Sequence, residues 1–367
     1  MVLDLNINCR PKMLALLIDL GVFRRERFAL IDVGCSGGIH PVWRLFKDQL
    51  EAYGFDPQRP ECTRLSNEEE NPNVKYFPYW VGLDDDHEFL KRKKAQQSEI
   101  SLHFNPWSRL SCTYAARLRS QPQPEPPVSS PARESLADQK VSISEFVGDV
   151  GINNIDMIKI DTDGNDLEVA ISCQDVIDKC NVLGFMIEAG YVGSFHDTEN
   201  NFANIDKLMR RNGFSLFSMS VNCYSRADLP LQFEHRMLAQ TVSGQPMWGD
   251  LVYFRDAGSP EYTKIWDREL STLKLLKLAC LFELFSLPDC AAELINKYSC
   301  RIAEIVNPGK LLDLLTPPLH WETLSYEQYT RRFREDMNSF FPSAFNGAVH
   351  RLSSWALHHI FRANREC

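Results

Sequence analysis

Leu30-Ile31-Asp32-Val33-Gly34-Cys35-Ser36-Gly37-Gly38 is an apolar run that meets a carboxylate and then breaks into glycines. The residues from Phe28 to Val33 are apolar almost without alternation, the pattern of a strand covered on both faces of a sheet. Gly34, Gly37 and Gly38 then permit a tight turn and a close backbone approach that a Cβ would block, which suits a nucleotide-type ligand. A dinucleotide fingerprint would place glycine at 34, 36 and 39. The chain has Gly34, Ser36 and Ile39, so the pyrophosphate pattern fails at two of its three positions.

On the N-terminal side, Met13 to Leu20 reads as a helix stopped by Gly21. On the C-terminal side, Pro41 to Ala52 carries Val42, Trp43, Phe46 and Leu50 at helical spacing. Tyr53-Gly54-Phe55-Asp56 is the second strand. Asp56 lies 22 residues beyond Gly34, close to the interval of about 20 at which an acid takes a ribose hydroxyl pair. Arg59 to Asn71 is polar, and Val74 to Gly82 is the third strand with its turn. Leu83, Asp84 and the flanking Trp80 fall near an adenine edge in this arrangement, with Val81 and Gly82 as cofactor contacts, although Trp80 itself reads as core.

Residues 98–140 interrupt the α/β rhythm. Their Gln121-Pro122-Gln123-Pro124-Glu125-Pro126-Pro127 is too proline-rich for a helix or a central strand, and the stretch reads as a lid or insertion loop. A second landmark follows: Ile155 to Asp161 as the fourth strand, Asp163-Gly164 as a turn, and Asp166 opening a helix whose positive end favours acids. Asn181 to Ala189 gives a strand carrying Glu188, Phe202 to Asn212 a helix, Phe214 to Met219 a strand, and Gly249 to Phe254 the last. Two late strands without a helix between them imply a parallel sheet closed by an antiparallel strand. The domain therefore spans 28–256, after a helical lead-in over 1–27. Beyond it lies a helical accessory region over 257–367, with helices over 270–285, 291–306, 326–339 and 349–362.

The chain of 367 residues is 44% hydrophobic and 24% charged, an ordinary soluble composition. Its net charge of -9 argues against a phosphate-backbone partner, so no nucleic acid is expected. Eleven cysteines without a C-x-x-C pair suggest neither a disulfide framework nor a thiolate zinc site, and a reducing, cytoplasmic setting fits. The apolar patch from Met13 to Val22 is interrupted by Asp19 and lacks a cleavage site, so it reads as a short helix rather than a signal peptide. No run reaches the roughly 18 to 20 apolar residues of a membrane span.

Asp32-x-Gly34-x-Ser36-x-Gly38 resembles the first motif of S-adenosylmethionine methyltransferases. Taken with Gly54-Phe55-Asp56-Pro57, Lys159-Ile160-Asp161-Thr162-Asp163-Gly164-Asn165-Asp166-Leu167-Glu168-Val169 and Gly249-Asp250-Leu251-Val252-Tyr253, the sequence resembles the FkbM family over about residues 28 to 255. The resemblance implies an α/β, class I methyltransferase (Rossmann-like) sheet, S-adenosylmethionine as cofactor, and methyl transfer to a hydroxyl of a glycan or secondary metabolite. Asp163 and Asp166 stand where glutamates are frequent in that family. It further implies that the backbone of Gly34, Cys35, Ser36, Gly37 and Gly38 supports the methionine part and that Asp32 orients its amino group. Asp56 with Pro57 takes the ribose hydroxyls, and Asp161 contributes to the cofactor site.

A hydroxyl acceptor needs a positioned base. Asp161, Glu188 and His196 are the candidates, all at or just after strand ends. Histidine has the most suitable unperturbed pKa. No metal is assigned, although Asp161, Asp163 and Glu188 are an oxygen set of the kind hard divalent ions prefer. The C-terminal helices are read as a packing or homo-oligomerisation element. Arg351, Arg362 and Arg365 beside Leu352, Trp355, Leu357 and Ile360 leave a basic amphipathic surface helix as an alternative. The rival to an enzyme is an idle methyltransferase-like scaffold.

Overall fold

The structure, a computed structural model, describes residues 5–100, 136–137, 139–224, 231–232, 240–266, 268–319 and 321–340. At its centre, six consecutive buried residues form β1 (Phe28–Val33). β2 (Leu50–Phe55) and β3 (Val74–Phe77) extend the sheet in parallel to one side. After Pro78 the chain leaves the sheet, and β4 (Trp80–Val81) pairs with β5 (Lys140–Val141) in a separate ribbon. It returns on the other side of β1 with β6 (Met157–Ile160) and β7 (Gly184–Gly190), both parallel. β8 (Ser215–Met219), β9 (Asn222–Tyr224), β10 (Gln240–Thr241) and β11 (Gln245–Phe254) complete it. Among the described residues the order is β10-β9-β11-β7-β6-β1-β2-β3, with β8 also on β11. β11 runs antiparallel to β7 from Trp248 opposite Gly190 to Phe254 opposite Gly184. The expected mostly parallel sheet with an antiparallel closing strand is what forms, and the chain reverses its winding between β1 and β6, where such sheets open to ligand.

Side chains alternate across the strands and so build two cores. Phe28, Leu30, Leu50, Ala52, Met157, Met186, Val252 and Phe254 face one. Ile31, Val33, Tyr53, Phe55, Ile158, Ile160, Phe185, Ile187, Leu251 and Tyr253 face the other. In chain order the helices are α1 (Lys12–Asp19), α2 (Pro41–Arg44), α3 (Arg59–Glu68), α4 (Glu88–Ile100), α5 (Ile143–Val150), α6 (Asp166–Ser172), α7 (Gln174–Lys179) and α8 (Phe202–Arg211). They continue with α9 (Tyr262–Ile265), α10 (Thr272–Leu284), α11 (Pro288–Lys297), α12 (Ser299–Ile302), α13 (Pro308–Leu315) and α14 (Tyr326–Glu335). The second core is covered by α5 to α8, and the first by α1, α10, α11 and α13.

Several sequence expectations are corrected here. The helix expected over Pro41 to Ala52 ends at Arg44; Lys47 turns the chain at φ 51°, and Leu50 already belongs to β2. Buried Gln49 fixes that turn, donating to the Ile18 carbonyl at 2.7 Å and accepting from the Phe23 amide at 2.8 Å. Trp80 is not core: it is 44% exposed, and its indole donates to the Ala137 carbonyl at 3.0 Å. The third strand stops at Phe77 because proline cannot donate to the ladder. α13 forms between the helices expected over 291–306 and 326–339, where none was expected. The proline-rich stretch 121–127 and the helix over 349–362 lie outside the described residues. No helix among the described residues is long and apolar enough to cross a membrane.

α10 is buried from Lys274 to Leu284, its charged side chains included, and it lies in the same core as β1 and β11. Its two mid-helix lysines meet one fully buried acid. Lys274 Nζ is 2.8 Å and Lys277 Nζ 2.9 Å from the Asp156 carboxylate, which also accepts from the Ala29 amide at 2.8 Å. Lys274 donates further to the carbonyls of Ile155 and Cys180, and Lys277 to that of Arg27 and to Glu26. Burial pushes the Asp156 carboxyl up, but the two ammonium groups outweigh it and hold it below its ordinary value. At the other end of α10, Glu283 accepts from the amides of Met13 and Leu14 at 2.9 and 2.8 Å, satisfying the first turn of α1.

Removing Asp156 leaves two buried cations without a counter-charge. Asp156→Ala is expected to destabilise the fold by about 3–5 kcal/mol, read as a lower urea midpoint at unchanged slope; a loss under about 1 kcal/mol would show that the cluster does not hold α10 to the sheet.

Candidate active site

The turn after β1 is held by its own backbone. The amides of Gly34 and Cys35 donate to the Phe55 carbonyl at 2.9 and 3.1 Å, that of Gly38 to Cys35 at 2.8 Å, and that of Gly37 to Glu61 Oε1 at 2.9 Å. A pyrophosphate cradle offers such amides to the ligand; here they are already taken. Gly34, at φ 82°, must be glycine, because a Cβ there would stand 1.7 Å from the Asp161 carbonyl oxygen. A Cβ at Gly37 would meet nothing within 4 Å, so the turn's outer face is open. Ser36 is exposed, whereas Cys35 is 1% exposed, its thiol held up in pKa by burial and packed where a Cβ on Gly54 would stand.

Beneath the turn lies Lys159, on β6. Its Nζ is 2.9 Å from the Gly34 carbonyl, 3.1 Å from Asp32 Oδ1 and 3.5 Å from Asp161 Oδ2. Burial pushes this ammonium down, yet Asp32 and Asp161 more than offset it, and it stays protonated. Asp32 is 1% exposed and faces Lys159 from below the turn.

The remaining acids converge at the ends of β6 and β7. One carboxylate oxygen from each of Asp161, Asp163 and Glu188 lies within 4.8 Å of the others. Asp250 sits opposite Glu188 across the β7–β11 ladder. Burial pushes Glu188 up to about 10, helped by its hydrogen bond to Asp161 and by the charges of Asp161, Asp166 and Asp250, so it holds a proton at neutral pH. Burial and the Asp161 charge push Asp250 up to about 6. Asp166 is the clamp of the turn: it accepts from the Thr162 amide and hydroxyl at 2.8 and 3.0 Å, from the Gly164 amide at 3.2 Å and from Asn200 at 2.9 Å. It shapes a loop whose Asp163 takes φ 52° and whose Gly164 takes φ 118°.

Asp56 ends β2 directly after Phe55, whose carbonyl anchors the glycine turn; its Oδ1 accepts from the Gln58 amide at 2.8 Å. Burial raises its pKa. The Pro57 carbonyl accepts from Ala137 at 2.7 Å. Val81 and Gly82 belong to the β4–β5 ribbon, and a Cβ at Gly82 would stand 2.5 Å from Glu168 Oε1, so the pair lies against the first turn of α6. His196 stacks on Phe195 and bonds through its backbone to Ser194 and Asn204, on the loop leading to α8. The structure thus brings Asp32, Gly34 and Asp161 together around Lys159, joins Glu188 to them through Asp161, sets Asp56 within reach of the Lys159 charge, and gives His196 contacts with Phe195, Ser194 and Asn204.

Lys159 and Asp250 carry no role in the sequence reading. A lysine between buried Ile158 and Ile160 does announce a need for counter-charges, and was the available signal. Asp250 stands before the apolar run Leu251-Val252-Tyr253-Phe254 and gives none, because only strand pairing places it beside Glu188.

Residues 38–216 match the family described as the methyltransferase FkbM domain, a match that begins within the glycine turn. No curated protein matches the chain. Among solved structures, a TehB-like SAM-dependent methyltransferase from Corynebacterium glutamicum is similar at 13% identity over 66% of this chain and 87% of that one, with a TM-score of 0.28. The magnesium protoporphyrin IX methyltransferase of Synechocystis, solved with bound SAM, gives 10%, 67%, 79% and 0.25. A SAM-dependent methyltransferase from Anabaena variabilis gives 11%, 70%, 88% and 0.27. The donor set suits a cationic nucleoside: an open glycine face, amides already bonded, and more carboxyls than ammonium groups at one sheet edge. Residues 38–216 thus carry a match to the methyltransferase FkbM domain, a family whose cofactor is S-adenosylmethionine.

Proposed function

We propose that this protein transfers a methyl group from S-adenosylmethionine to a hydroxyl of a glycan or other hydroxylated metabolite, in the cytoplasm. The observation that carries the reading is the crowd of carboxyls at the ends of β6 and β7, joined through Asp161 to Lys159 and Asp32 beside an open glycine turn, which outnumber the ammonium groups and match a cationic ligand. The buried thiols of Cys35, Cys62, Cys173, Cys180 and Cys280 fit a reducing compartment.

In this reading the outer face of Gly34 to Gly38 supports the methionine part, Asp56 accepts from the ribose hydroxyls, and Val81 with Gly82 bounds the base. Bound S-adenosylmethionine supplies a methyl group made electrophilic by its sulfonium. The protein contributes position and a site sheltered from water. Lys159 fixes Asp32 and Asp161 so that the turn and the end of β6 keep their spacing. The Asp161–Glu188 pair stands where a hydroxyl proton can be taken up.

Labelled S-adenosylmethionine offered with a panel of hydroxylated sugars should give a product stable to mild base, as an ether is and a methyl ester is not; transfer only to carboxylates or amines would discard the hydroxyl acceptor. By calorimetry, Asp56→Ala should weaken S-adenosylmethionine binding about 10- to 100-fold, the size of a lost hydrogen bond to a charged group, and unchanged affinity removes the ribose assignment. Lys159→Met strands two buried acids and should cost about 3–5 kcal/mol of stability, part of which Lys159→Met with Asp32→Asn restores; a double mutant no more stable than the single one would refute the pairing.

A further inference from the structure

A carboxyl that accepts a hydroxyl proton must be ionised when the acceptor is in place, yet the Glu188 carboxyl hydrogen-bonds that of Asp161, a contact that needs a proton between the two in the unliganded protein. The groups that face it are carboxyls on every side: Asp161 and Asp163 from the turn after β6, Asp166 from the start of α6, and Asp250 from β11. The nearby ammonium, Lys159, is engaged by Asp32, Asp161 and the Gly34 carbonyl. Carboxyls this close cannot all ionise unless positive charge arrives.

We infer that Glu188 is a charge-gated base: it gives up its proton when the sulfonium cofactor settles beside the Asp161–Asp163–Glu188 cluster, and takes up the acceptor's hydroxyl proton when that positive charge is lost. This rests on the methyl-transfer reading above. In the step, the bond made is acceptor oxygen to methyl carbon and the bond broken is methyl carbon to sulfur; the electron pair stays on sulfur, and the proton goes to the Glu188 carboxylate. Total charge is conserved, and the cluster returns to its protonated, unliganded state as product leaves. An acceptor that arrives first meets Glu188 as an acid, so the cofactor must bind before the acceptor.

The test counts protons and needs no turnover. Calorimetric titration of the full chain with S-adenosylmethionine, and separately with S-adenosylhomocysteine, in two buffers of different ionisation enthalpy gives the protons released by each. The sign is fixed: the cation favours ionised Glu188, so S-adenosylmethionine should release about one proton more than its neutral-sulfur counterpart at pH 7.5 and tighten more steeply with pH, up to about tenfold per pH unit, below the free-state value. Glu188→Gln, which mimics the protonated form, should abolish that excess while keeping the melting temperature. Asp250→Asn should shift the release to lower pH. Equal proton release by the two ligands in the wild type, or an excess that survives in Glu188→Gln, overturns the proposal. Failure of S-adenosylmethionine to bind at any pH overturns the underlying reading, whereas binding without excess release overturns the role of Glu188 alone.

Discussion

A single buried ammonium organises the end of the sheet. Lys159 reaches a carbonyl of the glycine turn and two carboxylates, one from β1 and one from the end of β6. Those contacts cross the point where the sheet reverses its winding. Burial raises the Asp32 pKa even beside Lys159; without that cation the carboxyl would be buried with no counter-charge, and the turn would lose the bond that fixes the Gly34 carbonyl. The remaining acids stand on that foundation and leave a net negative edge facing outward.

The strand that carries Lys159 is charged at both ends. Asp156, just before β6, receives two ammonium groups from α10, and Asp161, just after it, shares Lys159 with Asp32. The four residues of β6 between them are buried. A short apolar strand is thereby pinned at one end to the helix behind the sheet and at the other to the glycine turn. Burial makes each of these pairs costly to disturb, and it limits how far the site can shift relative to the layer of helices beneath it.

Much of this was legible in the residues. The unbroken apolar run of β1, the failed dinucleotide spacing, Asp56 at its strand end and the Lys159 to Val169 block located the sheet, the turn and several of the acids at its edge. Local pattern failed where pairing across the chain decides. Val42, Trp43, Phe46 and Leu50 have helical spacing, yet Leu50 is drawn into β2 by its register with Phe28. Asp250 joins the site only because β11 lies against β7. Lys274 and Lys277 look like the polar stripe of a surface helix, and the acid that buries them lies more than a hundred positions away. His196 lies on the loop before α8 with its ring stacked on Phe195, a placement no local pattern gives.

The arrangement around α10 also orders events during synthesis. Asp156 leaves the ribosome well over a hundred residues ahead of the two lysines that neutralise it, and the first turn of α1 waits longer still for Glu283. Until then one face of the sheet lacks its cover and a carboxylate destined for the interior stays in water. The nucleoside-binding half of the nascent chain is therefore an incomplete body, and its last-made helices close it.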